Sequence, residues 1–155
     1  MVFNREERPQ RRLDAPLDVR DRFGELLQLG SGQGLELLVF LKAHCDGCAC
    51  FFEAAAQPVG SGLCRQERLV LCLTELDLSL TEAVERAAPE VRVVVGAEPY
   101  RAFAVHSGPF FVLLDASSRT VLTEGVAWSV PQVREHLDAA LAGEDRSVPR
   151  LRAGG

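Results

Sequence analysis

Five cysteines in a chain of 155 residues are the side chains best able to do chemistry, and two of them, Cys45 and Cys48, form a Cys-x-x-Cys motif. The run Leu38-Val-Phe-Leu-Lys-Ala-His-Cys45-Asp-Gly-Cys48 puts the motif where a buried strand gives way to a helix. In a first helical turn, free backbone N–H groups and the positive end of the helix dipole stabilise an anion. A thiol placed there has a lowered pKa and supplies thiolate at neutral pH. Three residues of helix turn through about 300°, so the two side chains share a face and can close a small disulfide. On this reading Cys45 is exposed and attacks, while Cys48, one turn inside, resolves the mixed disulfide. His44 and Asp46 flank the nucleophile with opposite effects, since an imidazolium favours the thiolate and a carboxylate disfavours it. Cys50 falls about 200° around the helix from Cys48 and off the shared face. It reads as core packing, with a role as a third thiol as the sharper alternative. The same residues admit a soft-metal loop in which His44, Cys45, Cys48 and Cys50 hold Zn, Cu(I) or an iron–sulfur cluster. That loop needs the helix to begin after Cys50, and it lacks the distant second pair of a strong zinc motif. The redox pair is preferred, with no metal and no cofactor required.

Around the motif, Leu35 to Lys42 is a short apolar run behind the Gly-rich turn Ser31 to Gly34, as expected of a strand buried on both faces. A helix is predicted from the first cysteines to Gln57, with Pro58 and Val59-Gly-Ser-Gly62 as stop signals. Val19, Phe23, Leu26 and Leu27 at i, i+4, i+7 and i+8 behind Asp18 predict an earlier helix reaching about Leu29. Downstream, strands are expected at Leu69 to Leu73 and Val91 to Val95, with a helix at Thr81 to Ala88 between them. A hairpin pairs Phe110 to Leu114 with Thr120 to Glu124. Val130 to Leu141 closes the domain as a helix with Pro131 in its first turn. Cys72 alternates with Val70 and Thr74 as core filler; Cys64 is expected as a surface thiol, His106 as a solvated loop histidine and Trp128 as a cover over the end of the sheet. The order implies an α/β fold with a central sheet flanked by helices on both faces and an antiparallel hairpin at one edge. Residues 1–16 are expected as a flexible N-terminal arm, 17–142 as one domain and 143–155 as a flexible C-terminal tail.

A net charge of -5 and a pI near 5.2 provide no basic field for a polyanion, because the Arg-dense opening is interleaved with Glu6, Glu7, Asp14, Asp18 and Asp21. Nucleic acid is excluded as an expected partner. No apolar run approaches the roughly 20 residues that span a bilayer, and the first residues lack the apolar stretch of a secretory signal, so the expectation is a cytoplasmic protein with no membrane partner. An odd cysteine count in such a chain argues for redox, metal or buried thiols over a static disulfide framework.

From Leu35 to Leu141 the chain resembles the thioredoxin superfamily, most of all the TlpA and MauD type of bacterial thiol-disulfide oxidoreductase. Two motifs in order carry the resemblance: the strand-to-helix Cys45-x-x-Cys48, and Val105-His-Ser-Gly-Pro109-Phe-Phe-Val-Leu-Leu-Asp115. The resemblance implies a thioredoxin fold with a central mixed β-sheet. It also implies that Pro109 is cis beside the cysteine pair, and that Gly108 lends backbone groups to a bound peptide as an added strand. His44, Asp46 and Gly47 then join Gly108 and Pro109 in contacting substrate. The implied activity is disulfide exchange with a disulfide-containing protein or a small thiol, recharged by an upstream thiol reductant or oxidant. The chain departs from the family pattern at His44, where an aromatic is common, and at Val39, where thioredoxins carry a buried acid. Glu53 stands near the place of the helix-bending proline. A thioredoxin-like metal-binding module or a non-redox scaffold is the alternative.

Overall fold

The computed structural model describes residues 11–42, 45 and 47–154, with side chains as far as residue 143. The elements in order are β1 (Leu17–Arg20), β2 (Leu26–Leu29), β3 (Leu35–Leu41), α1 (Ala49–Ala55), β4 (Arg68–Leu73), α2 (Leu78–Ala87), β5 (Arg92–Val95), α3 (Glu98–Ala102), β6 (Phe110–Asp115), β7 (Thr120–Val126) and α4 (Val130–Gly154). Five strands form one mixed sheet in the order β5-β4-β3-β6-β7. β3 runs parallel to β4 and antiparallel to β6, and β4 runs parallel to β5.

β3 is central, and its unbroken apolar sequence follows from burial on both sides. Leu37, Val39 and Leu41 face a layer built from α1, α2 and α4 through Phe51, Phe52, Val84, Val133 and Leu137. Leu38 and Phe40 face the opposite layer, where Tyr100 and Phe103 from the α3 region meet Val19 and Leu29 from the β1–β2 hairpin. α2 starts at an Asp77 cap whose carboxylate accepts the Leu80 N–H at 3.2 Å. α4 is held to the loop before β4 by Arg134, which donates to both Glu67 oxygens at 3.0 and 3.1 Å and to the Leu63 carbonyl at 3.2 Å.

Several expectations are corrected. The helix predicted up to Leu29 is instead the β1–β2 hairpin. The Asp21 carboxylate accepts the N–H groups of Phe23 and Glu25, and Gly24 takes a positive φ of 83°, so the chain turns where the helical pattern would continue. Val19 and Leu29 are buried while their strand neighbours are not, a period of two that wins because one face docks on the sheet. α1 begins at Ala49 with Cys48 as its cap residue, later than predicted, which leaves Cys45 in the turn ahead of it. α3, opened by Pro99 in its first turn, was not expected; five residues are too few for periodicity to register. α4 continues from the predicted Val130 past Leu141 to Gly154. Residues 11–16, expected as the end of an arm, are tied to β7: the Leu13 N–H donates to the Arg119 carbonyl at 2.9 Å, and the Arg11 carbonyl accepts from Val121 at 2.8 Å.

Candidate active site

The site lies where β3 ends. Cys45 and Cys48 are joined by a disulfide, with Cα atoms 5.2 Å apart, across a tight turn in which the Cys48 N–H donates to the Cys45 carbonyl at 3.1 Å. Cys48 is 2% exposed and belongs to the core under α1, whereas Cys45 is half-buried at the edge of that core. The Lys42 N–H points at the Cys48 Sγ at 3.5 Å. The inner sulfur therefore has a backbone donor, and Cys45 is the less buried residue of the pair.

Register brings the second motif to the first. Phe110 pairs with Phe40, so the residues just before β6 come level with the end of β3. The Gly108–Pro109 peptide bond is cis. A Cβ placed on exposed Gly47 would lie 3.4 Å from the Pro109 ring, so the proline packs against the turn between the two cysteines. Gly108 is close-packed from the other side, where an added Cβ would meet the Phe40 carbonyl at 3.2 Å. The Pro109 carbonyl is held by the Ala127 N–H at 2.9 Å. Cys45, Gly47, Cys48, Gly108 and Pro109 are thus gathered in one place, while His44 and Asp46 lie outside the described residues.

The other thiols differ in kind. Cys50 is exposed, its Sγ donating to the Gly47 carbonyl at 3.5 Å; partial burial, with a contribution from Glu53, moves its pKa upward. Its exposure corrects the core-packing expectation, because a helix beginning at Ala49 turns Cys50 outward. Cys64 is buried, against the expected surface thiol, and burial with the nearby Glu67 carboxylate pushes its pKa up to about 12. Cys72 is fully buried in β4 as core filler, its pKa raised by burial. Among the described residues no group of three His, Cys, Asp or Glu side chains is placed to hold a metal ion, and no helix is long and apolar enough to cross a membrane.

Tyr100 and Lys42 were not singled out by the sequence, and Trp128 departs from its expected place. The buried Tyr100 hydroxyl sits between the Leu41 and Cys72 carbonyls, at 2.6 and 2.8 Å, and ties together the ends of β3 and β4 where the cysteine turn departs; burial raises its pKa. Trp128 is 76% exposed in the segment after β7, directly following the Ala127 that holds Pro109, and does not cover the sheet. Lys42 donates from its ammonium to the His106 carbonyl at 3.3 Å, and His106 itself is exposed. That Lys42 is the only lysine in the chain was a signal in plain view.

No protein-family model matches the chain, and no curated protein matches it. Solved structures do resemble it. They include StoA from Bacillus subtilis, at 14% identity and a TM-score of 0.60, covering 82% of this chain and 99% of that one. A thioredoxin-like protein from Aeropyrum pernix is 17% identical with a TM-score of 0.61, covering 83% and 89%. A thio-disulfide isomerase from Thermus thermophilus is 15% identical with a TM-score of 0.60, covering 87% and 96%. The chain has a thioredoxin fold. Within it, the Cys45–Cys48 pair and the Gly108–Pro109 segment meet at the end of the central strand.

Proposed function

We propose that this protein is a thiol-disulfide oxidoreductase in which Cys45 is the attacking thiol and Cys48 the resolving one. The observation that carries the reading is the asymmetry of the pair: a partly buried Cys45 bonded to a fully shielded Cys48, beside Pro109. In the reducing direction the Cys45 thiolate attacks one sulfur of a substrate disulfide. The substrate's other sulfur leaves as a thiolate and takes up a proton. The Cys48 thiolate then attacks Cys45, releasing the second substrate thiol and closing the Cys45–Cys48 disulfide. Two electrons have moved to the substrate, and an upstream dithiol reductant returns them. Gly47, Gly108 and Pro109 form the surface against which a peptide would lie, the Gly108 backbone pairing with it as an added strand. His44 and Asp46 are assigned to the same surface by their sequence positions. We place the exchange in the cytoplasm, where thiol reductants keep cysteines such as Cys50, Cys64 and Cys72 unpaired.

The test is mixed-disulfide trapping. Cys48→Ser should leave the first attack intact and remove the intramolecular escape, so covalent complexes with a disulfide substrate accumulate. Cys45→Ser should form none. If Cys50→Ser traps complexes while Cys48→Ser does not, the resolving role belongs to Cys50. If the wild type reduces neither insulin nor a small disulfide under a dithiol supply, the oxidoreductase reading fails. Stoichiometric metal bound after purification under reducing conditions would then favour the metal-binding module.

A further inference from the structure

We infer that Lys42 makes the site selective for disulfides bearing a carboxylate close to the attacked sulfur. The inference rests on the oxidoreductase reading and adds the substrate's charge to it. Lys42 is the first residue after β3, and its backbone N–H at the Cys48 Sγ fixes it against the thiol pair. Its side chain runs from there toward the loop that carries Gly108 and Pro109. Its Cγ comes within 3.7 Å of where a Gly108 Cβ would be, and its ammonium reaches the His106 carbonyl at 3.3 Å. The cation therefore spans both segments that a bound disulfide would touch.

Among the described residues the ammonium also has capacity to spare. It carries three donors, and the His106 carbonyl, a neutral acceptor, takes one. Among the described residues no carboxylate lies within ion-pair distance of it, although Arg11, Arg22, Arg65, Arg68 and Arg134 are all ion-paired. The chain uses arginine at sixteen positions and lysine at this one. Arginine offers a planar fork suited to a fixed bidentate partner, whereas an ammonium is a compact point charge on a flexible stem, suited to a partner that comes and goes. In a protein of net charge -5, a cation beside the thiol pair is a local positive centre that draws a substrate carboxylate toward it.

The experiment uses matched substrates and the full-length protein, pre-reduced with dithiol. One pair is a peptide disulfide flanked by Asp against the same peptide flanked by Asn; the other is dithiodipropionate against bis(2-hydroxyethyl) disulfide. The readout is the ratio of kcat/KM, acidic over neutral, which cancels any general effect of a substitution on the enzyme. For an exposed pair the wild-type ratio should be about fivefold at low salt, falling as salt is added. Lys42→Met should bring it to about one, and Lys42→Arg should retain part of it. A preference confined to the peptide pair assigns the carboxylate to a protein segment, and one confined to the small pair assigns it to a small acidic disulfide. A wild-type ratio near one in both pairs overturns the inference while leaving the oxidoreductase reading intact. So does a Lys42→Met variant that keeps the preference, or one that slows acidic and neutral substrates equally, which would reduce Lys42 to holding the His106 loop. Wild-type protein that reduces none of the four substrates overturns both.

Discussion

Replacing Arg134 with Met should cost about 3 kcal/mol of stability at neutral pH. The Arg134 side chain is 10% exposed and the Glu67 side chain 1% exposed, so their pairing is desolvated on both sides. Removing the guanidinium takes away both donors to Glu67 and leaves that carboxylate with the Arg65 N–H, at 2.8 Å, as its remaining partner from another residue. Breaking a buried pair from one side costs roughly 3–5 kcal/mol, because a charge stays behind uncompensated. The lower end applies here, since Asp138, which also receives Arg134, is 37% exposed and lets water near the network. The pH dependence gives the sharper signature. In the wild type, burial by itself raises the Glu67 pKa, but the Arg134 hydrogen bonds, backbone N–H donors and the Arg134 charge hold it below its ordinary 4.5. A depressed pKa contributes stability that is complete above 4.5 and is lost as pH falls through the folded value. In the variant, burial acts without the guanidinium, so the carboxyl pKa moves up from its wild-type position and this stabilisation is reduced. The gap between the two proteins should therefore be widest near neutrality and narrow toward about pH 4. Urea denaturation at neutral pH and in acid measures it. A second substitution, Glu67→Gln, should recover part of the loss in the Arg134→Met background by removing the stranded charge. A neutral-pH loss under about 1 kcal/mol, or a gap that does not change with pH, would refute the reasoning.

Two further outcomes follow from the site's geometry. With the Cys45–Cys48 disulfide intact, iodoacetamide should label Cys50 and leave Cys64 and Cys72 untouched until the protein unfolds, because only Cys50 is exposed and the Cys64 pKa is pushed up to about 12; peptide mass mapping reads the pattern, and early labelling of Cys64 would contradict it. Gly108→Ala should slow reduction of peptide disulfides and destabilise the fold by about 1 kcal/mol, since its Cβ would meet the β3 backbone at 3.2 Å; unchanged rates and midpoint would show that the segment gives way freely.

The central strand, β4, the Phe110–Asp115 hairpin arm and the Cys45–Cys48 motif were legible in the sequence, because each is a local property. An apolar run of five to seven residues bounded by turn residues can be read without knowing its partners, and so can two thiols three positions apart. The β1–β2 hairpin was misread because Val19, Phe23, Leu26 and Leu27 fit a helical period equally well. The decision belonged to Asp21 and Gly24, which close the turn, and to the sheet face that buries Val19 and Leu29. Burial of the remaining thiols escaped the sequence for a related reason. Cys64 lies in a loop that packs under Glu67 and Arg134, residues whose partnership spans 67 positions, and a shift in the start of α1 turns Cys50 outward. The site itself was half legible. Sequence supplied the cysteines and Pro109, but they lie more than sixty residues apart, and only the antiparallel pairing of β6 with β3 sets Pro109 against Gly47. The same pairing brings the loop carrying His106, Gly108 and Pro109 beside the Lys42 side chain, a contact that follows from strand register and that no local pattern encodes.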